Sequence, residues 1–487
     1  MGIHRRVILK LIGIVMMVIG ISMLPSFLVS FFCDGAKIWK PFAICIIVTV
    51  VLGFLIAKLT NAKRATLKLR DGFLLVAASW ITASLVGAIP YFVTGSISSP
   101  IDCIFESVSG FSTTGASILY DVETLPRGIL FWRAFTQWIG GIGILVFAVG
   151  LMPSLGISGQ NVMSTDTPNL SLGKISTKMS DAIKTLYVTY IAFTMLETML
   201  LALTGMSLYD ALIHTFATVG TGGFSGYNDG IAHFNDPTVY TIIMIFMLLC
   251  GVNFNLYFLS ISRGPLVIAK DVEFRFYIGA IVLISGIIAI TLTVHGTFAT
   301  SSESILESLF QTISIISTTG FSTSDYTHWP ALCQMLLLIL MFVGGCSSST
   351  SGGVKAIRIL VILRYITHGI RSRLHPNSVE PITVNGVAAP SNTITGVTYH
   401  IFLYIVMLFF GAFAISLENI DIETSFSAVI TCMGNIGPAF GDIGTTDTFC
   451  DFNVFSKLIL SAEMIAGRLE LYTLFILFTP RFWNPNN

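Results

Sequence analysis

Charged residues are scarce in this chain: Asp, Glu, Lys and Arg make up 11% of its 487 residues, against 54% apolar. A soluble domain carries about 25% charged residues, so a water-soluble enzyme is a poor fit. Mean hydropathy of +0.82 points instead to a chain that packs its core against lipid. Formal net charge is zero, without the basic excess a nucleic-acid partner would call for. Eight cysteines (33, 45, 103, 250, 333, 346, 432 and 450) show no CxxC or His-linked spacing. Neither a metal site nor a disulfide framework is implied by them. No Walker sequence GxxxxGK[ST] occurs, and GTGGFSG at 220–226 lacks the strand-to-helix setting of a dinucleotide loop. The eight histidines are scattered, with no Ser-His-Asp or His-Glu arrangement, so neither catalysis nor a cofactor in this chain is expected.

What is present is long apolar runs. A helix needs roughly 20 apolar residues to cross a bilayer, and ten runs qualify: 8–32, 39–59, 72–95, 128–152, 183–206, 237–260, 276–296, 331–363 with an interruption, 394–416 and 455–479. Ten crossings place both termini on one side. With that side cytoplasmic, most Lys and Arg fall inside, among them Arg5, Arg6, Lys63, Arg64, Lys68, Arg70, Lys270, Arg371 and Arg373, as the positive-inside rule requires. Most acidic residues fall outside, including Asp102, Glu106, Asp210, Glu303, Glu307, Asp421, Glu423, Asp442, Asp447 and Asp451. An acidic outer face concentrates cations at a mouth, although polar loops alone would also account for it.

Between the spans one short element returns four times: STTGAS at 112–117, GTGGFS at 220–225, STTGFS at 317–322 and GNIGPA at 434–439. Aligning Gly115, Gly222, Gly320 and Gly437 gives intervals of 107, 98 and 117 residues. Before each stands an apolar run of about 10–12 residues, too short to cross and read as a re-entrant helix. The fold class expected is an all-α integral membrane protein: four parallel helix, re-entrant pore loop, helix repeats around one pore. Residues 1–70 form an accessory two-helix hairpin, followed by repeats at 71–160, 161–265, 266–375 and 376–487. The Ser/Thr/Gly-rich segment 153–182 and the segment 371–393 read as connections or docking surfaces.

Four loops around an axis supply rings of backbone carbonyls, which can replace an alkali cation's hydration shell without trapping it. Aiming successive carbonyls at one axis needs alternating backbone handedness, which glycine tolerates at positive φ. The candidate filter is Thr113, Thr114 and Gly115; Gly220, Thr221 and Gly222; Thr318, Thr319 and Gly320; and Asn435, Ile436 and Gly437. Its fourth member departs from the S/T-T-G form, so strict four-fold symmetry is not expected.

The run 331–363 breaks at GGCSSSTSGG, residues 344–353. Thirteen residues of helix before it reach about 20 Å, two-thirds of the hydrocarbon, so the break lies inside the membrane. Its composition suits either a movable segment beneath the filter or a kink packed on a neighbour. Arg468, near mid-depth of the last run, must face water or a partner. An electrostatic barrier and an ion pair with Glu463 or Glu470 are both open, the pair weakened by the absence of i,i+4 spacing.

The chain resembles the family of Trk, Ktr and plant HKT potassium transporters. The resemblance covers nearly its whole length, through FWRAFTQWIGGIGILVFAVGLMP (131–153), TVGTGGFS (218–225), GVNFNLYF (251–258), the STTGFS loop, the GG-Ser-rich-GG segment and AGRLELYTLF (466–475). It implies potassium uptake through a channel-like pore in the bacterial cytoplasmic membrane, with Gly115 matching the residue associated with potassium over sodium. It also implies a gate at Gly344, Gly345, Ser347, Ser348, Ser349, Gly352 and Gly353, with Arg468 bordering the pore. The implied assembly is a homodimer with a peripheral TrkA-like subunit that binds nucleotide. A secondary carrier or a proton- or sodium-coupled cation symporter is the alternative; inverted repeats would favour a carrier, parallel two-span repeats a pore.

Overall fold

The computed structural model describes residues 4–60, 69–143, 179–376, 381–444, 447–469 and 471–484. Two helices, Arg5–Ser22 and Leu24–Cys33, run on as one span and return as Ala36–Leu59. Gly13 and Gly53 let them touch, since a methyl on Gly13 would stand 2.7 Å from the Gly53 carbonyl oxygen and one on Gly53 2.6 Å from that of Gly13. Small residues at such crossings let backbones pack closely in lipid. In the hairpin's turn, Asp34 accepts from the backbone N–H groups of Arg127 and Gly128 at 3.0 and 2.8 Å. The hairpin thereby caps a helix of the first repeat.

Each repeat then follows one plan. The first helices are Leu69–Val93, Met179–Leu203, Val272–His295 and Ser391–Ser416. Short helices Pro100–Phe111, Leu208–Val219, Ser301–Ile316 and Ile422–Gly434 follow. All four start by one device: Ser99, Ser207, Thr300 and Asp421 accept at the side chain from the N–H three residues on. Such a cap contributes about 1 kcal/mol. At 12 to 16 residues the short helices span about 18–24 Å, short of the roughly 30 Å hydrocarbon, so they enter the membrane without crossing it.

Among the described residues six helices are long and apolar enough to cross: the two hairpin spans and the first helix of every repeat. The remaining four apolar runs are the second helices, and none is continuous among the described residues. Arg127–Ile142 ends at Gly143, where φ is +87°. Pro237–Cys250 and Phe254–Arg263 meet at 86°, although hydropathy reads 237–260 as one span. Ala331–Val343 is separated from Ala356–Leu374 by residues 344–355, and Val454–Arg468 from Leu471–Phe478. The unexpected bend in the second repeat has a local cause. Asn253 caps the new helix, accepting from the Asn255 N–H at 2.9 Å, a polar start inside an otherwise apolar run. Within 371–393, Thr383–Val384 and Val387–Ala388 pair as a two-residue hairpin; Asn385 and Gly386 at its turn have positive φ, as a type I′ turn requires. Most of 153–182 lies outside the described residues.

Candidate functional site: a ring of four loops and the segment beneath it

All four short helices end in the same turn. The N–H groups of Thr113, Thr221, Thr318 and Asn435 bond three residues back; those of Thr114, Gly222, Thr319 and Ile436 bond five residues back, at 2.7–3.0 Å for the latter. This is a Schellman-type C-cap, which places its C′ residue in the left-handed region. Glycine is usual there, yet φ is 58° at Thr113, 54° at Thr221, 58° at Thr318 and 55° at Asn435. A β-branched residue held at that φ stores on the order of 1–2 kcal/mol, which the surrounding packing must offset. Two residues later φ is again positive: 82° at Gly115, 76° at Gly223, 79° at Gly320 and 106° at Gly437.

That periodicity corrects the register of the second loop. Gly223, not Gly222, is the counterpart of Gly115, and the matching triplet is Thr221, Gly222 and Gly223 rather than Gly220, Thr221 and Gly222. Gly220 caps the helix, as Ser112 and Ser317 do. The doublet Gly222–Gly223 offers two alignments; the Phe-Ser that follows Gly223 and Gly320 alike is the signal that separates them.

The glycines also close the ring. A methyl on Gly115 would stand 2.1 Å from the Gly222 carbonyl oxygen, one on Gly223 2.1 Å from that of Thr319, one on Gly320 1.8 Å from that of Ile436, and one on Gly437 2.7 Å from that of Thr114. Each repeat thus presses its glycine against the next repeat's carbonyl, and the fourth returns to the first. Four loops in chain order surround one axis. The short helices converge on it with their C-termini, whose partial negative charge favours a cation. Outside the ring a 130 Å3 cavity is lined by Gly115, Gly223, Gly320 and Gly437 together with Phe224, Phe321, Pro438 and Asp447.

Behind the ring the loops are braced unequally. Ser112 pairs with Thr114 at 2.7 Å, and Ser317 with Thr319 at 2.9 Å. Loop two has glycines at those positions, and Gln137 takes over, donating to the Gly222 carbonyl at 2.6 Å and accepting from the Phe224 N–H at 3.1 Å. In loop four the Asn435 amide donates to the Thr114 hydroxyl at 3.0 Å and to the Met464 carbonyl at 2.9 Å. Several carboxylates assigned to an acidic mouth are internal braces. Glu106 is buried against Arg133 at 2.5 Å, Asp102 binds Lys457 at 2.8 Å, and Glu307 accepts from Thr323 and Ser324 at 2.5 and 2.8 Å. At the surface Asp451 accepts from the Tyr120 hydroxyl, whose pKa it pushes up to about 12.

Residues 344–355 lie directly under the ring. Gly352 donates its N–H to the Thr318 hydroxyl at 2.6 Å, and a methyl on Gly352 would meet the Gly434 carbonyl at 2.3 Å. Gly344 and Gly353 allow the neck to close, a methyl on Gly344 standing 2.6 Å from the Gly352 carbonyl. Ser348 (φ 54°) accepts at its carbonyl from the Phe254 N–H, Ser349 bonds Cys346 within the segment, and Thr350 donates to the Cys250 carbonyl. Arg468 donates to the Thr350 carbonyl at 2.7 Å and to the Gly140 and Gly141 carbonyls at 3.0 and 3.3 Å. One side chain thus links the fourth repeat to the third and the first. The Glu463 carboxylate packs against Gly411 instead of Arg468, and Glu470 lies outside the described residues. Gly223, Gln137, Asn253 and Glu273 are the structural participants that sequence reasoning missed.

Four re-entrant loops closed around one axis in a mostly helical, apolar chain define a pore-forming membrane transport protein. A family model described as "Cation transport protein", TrkH, matches residues 34–484. The Trk system potassium uptake protein TrkH of Escherichia coli K12 is 34% identical over 484 residues, covering 99% of both chains. TrkG of the same strain, also a Trk system potassium uptake protein, is 32% identical over 99% of both. A crystal structure of the potassium transporter TrkH from Vibrio parahaemolyticus superposes with a TM-score of 0.89 at 31% identity, covering 99% of this chain and 100% of that one. The chain belongs to the TrkH family of cation transport proteins.

Proposed function

We propose that this protein takes up potassium across the cytoplasmic membrane through the ring of four loops. The closed sequence of glycine-to-carbonyl contacts around one axis carries that reading, together with relatives named as Trk system potassium uptake proteins. Thr113, Thr114 and Gly115, Thr221, Gly222 and Gly223, Thr318, Thr319 and Gly320, and Asn435, Ile436 and Gly437 coordinate the ion through backbone oxygens, with Asn435 and Ile436 making the filter asymmetric. The membrane potential supplies about 2.3 kcal/mol per charge per 100 mV, enough to drive accumulation without a cofactor.

Residues 344–353 form the gate beneath the filter, and Arg468 latches it shut while placing a positive charge on the path. Both termini are cytoplasmic, the membrane subunit is a homodimer, and a cytoplasmic nucleotide-binding subunit controls the gate. Rubidium uptake into proteoliposomes at a set potential, with and without a pH gradient, tests this. Potential-driven flux indifferent to the pH gradient is expected; a flux that requires the gradient supports a symporter, and no rubidium flux overturns the reading.

A further inference from the structure

Arg468 and Thr318 hold the middle of the gate segment, and one carboxylate bridges its two limbs. Glu273, at the start of Val272–His295, is buried. It accepts from the Ser347 N–H at 2.5 Å, the Ser347 hydroxyl at 2.8 Å and the Ile357 N–H at 3.2 Å. Ser347 lies on the incoming limb and Ile357 just past the outgoing one, so this side chain bridges the neck beside the direct bond from the Ala356 N–H to the Gly345 carbonyl at 2.9 Å. Hydrogen bonds to an ionised acceptor are about twice as strong as neutral ones. The break of the second repeat touches the same limb: Asn253 reaches the Ser347 hydroxyl at 3.4 Å, the Phe254 N–H donates to Ser348 at 3.1 Å, and the Gly251 carbonyl accepts from Cys346 at 2.9 Å. Both ends of the connection 253–273 therefore grip the gate. That connection is tied onward, because Asn385 accepts from the Val272 N–H at 2.9 Å and donates to Asp271 at 2.8 Å.

We propose that Glu273 is a positioning residue for the gate: it clamps both limbs of residues 344–355 closed, and with Asn253 and Phe254 it makes the connection 253–273 a yoke through which movement at the inner face reaches the pore. The proposal rests on the reading of 344–353 as the gate. A displacement of the short helices Phe254–Arg263 and Leu266–Lys270 pulls on Ser347 and Ser348 from both sides. The turn at Asn385 extends the same chain of contacts to the connection between repeats three and four.

The test compares rubidium and sodium flux in proteoliposomes for the full chain, Glu273→Gln, Ser347→Ala, Arg468→Ala and the double variant Glu273→Gln/Arg468→Ala. Gln preserves shape but removes the charge and replaces one acceptor oxygen with a donor. Loss of charge-assisted bonds to the closed state should raise rubidium flux about tenfold, with a smaller rise for Ser347→Ala. The rubidium-to-sodium ratio should hold, because the filter is untouched; a general loosening of the fold would degrade it. The double variant should exceed the more active single by less than about twofold, since both act on one closed segment. If Glu273→Gln does not yield monodisperse protein, Ser347→Ala decides alone, because it leaves the backbone intact. Flux at the wild-type level or lower for these variants, with flux raised by Arg468→Ala, overturns the clamp and leaves the gate standing. No rise in any variant overturns the gate and the clamp together.

Discussion

The ring and the segment beneath it touch through Gly352 and Thr318 but are held in different ways. In the ring the backbones constrain one another: helix-end turns set the left-handed residues, and each glycine abuts a neighbour's carbonyl. Residues 344–355, the proposed gate, are fastened by separate polar contacts from Glu273, Arg468, Thr318, Asn253 and Gly251, drawn from all three later repeats. A structure fixed by backbone sterics has one arrangement; one fixed by discrete hydrogen bonds can release them and take another. Under the proposed function, ion choice falls to the stiffer of these two adjacent structures and ion passage to the more releasable one.

The largest expected effect breaks the stiff side. Gly320→Ala forces a methyl to within 1.8 Å of the Ile436 carbonyl at a φ of 79°, costing several kcal/mol by strain and overlap. Rubidium flux should be lost, or its preference over sodium collapse. Gly437→Ala, with 2.7 Å to the Thr114 carbonyl, should do less harm to the same ratio. Equal effects would contradict the ring's graded packing.

Next comes the latch. Arg468→Ala should raise flux about tenfold at an unchanged rubidium-to-sodium ratio, from lost charged hydrogen bonds of roughly 1.5–3 kcal/mol. Arg468→Lys should restore little closure, because an ammonium lacks the planar fork that reaches the Thr350, Gly140 and Gly141 carbonyls together. Gln137→Leu should act in the opposite sense, lowering selectivity several-fold with little change in opening. It leaves the Gly222 carbonyl and Phe224 N–H without their brace, at about 1–3 kcal/mol.

The smallest effect concerns the cap of the fourth short helix. Hydrogen bonding from Thr424 holds the Asp421 carboxyl below its usual range, so the cap's contribution is complete above the unfolded value near 3.9 and fades as pH falls through the lower folded value. Asp421→Ala should lower the melting temperature slightly at pH 7 without altering flux, and the gap should close under acid. A gap that persists at low pH would contradict the assignment.

Much of this comparison was legible in the residues themselves. Four helix-loop-helix repeats show in ten apolar runs and a recurring Thr-Gly element, because lipid makes spans visible as hydropathy. The break at 344–353 is visible because glycine and serine interrupt a span. The break at 251–253 is not, since Gly-Val-Asn barely dents the hydropathy of 237–260 and only the capping chemistry of Asn253 marks it. The register of loop two reads one residue early, on Gly222, because two adjacent glycines both fit the pattern; the Phe-Ser after Gly223 and Gly320 marks the register that the backbone angles show. Glu106 and Glu307 read as mouth charges because their partners, Arg133 for one and Thr323 and Ser324 for the other, lie 16–27 residues away in sequence. Pairings of that kind are made by tertiary packing and leave no local signature.

The division of labour between ring and gate is tested most directly by paired rubidium and sodium uptake into proteoliposomes carrying Arg468→Ala. Rubidium flux should rise about tenfold while the rubidium-to-sodium ratio stays at its wild-type value. A ratio that falls toward one as flux rises would mean that the latch also shapes the filter, and would contradict the separation of ion choice from gating.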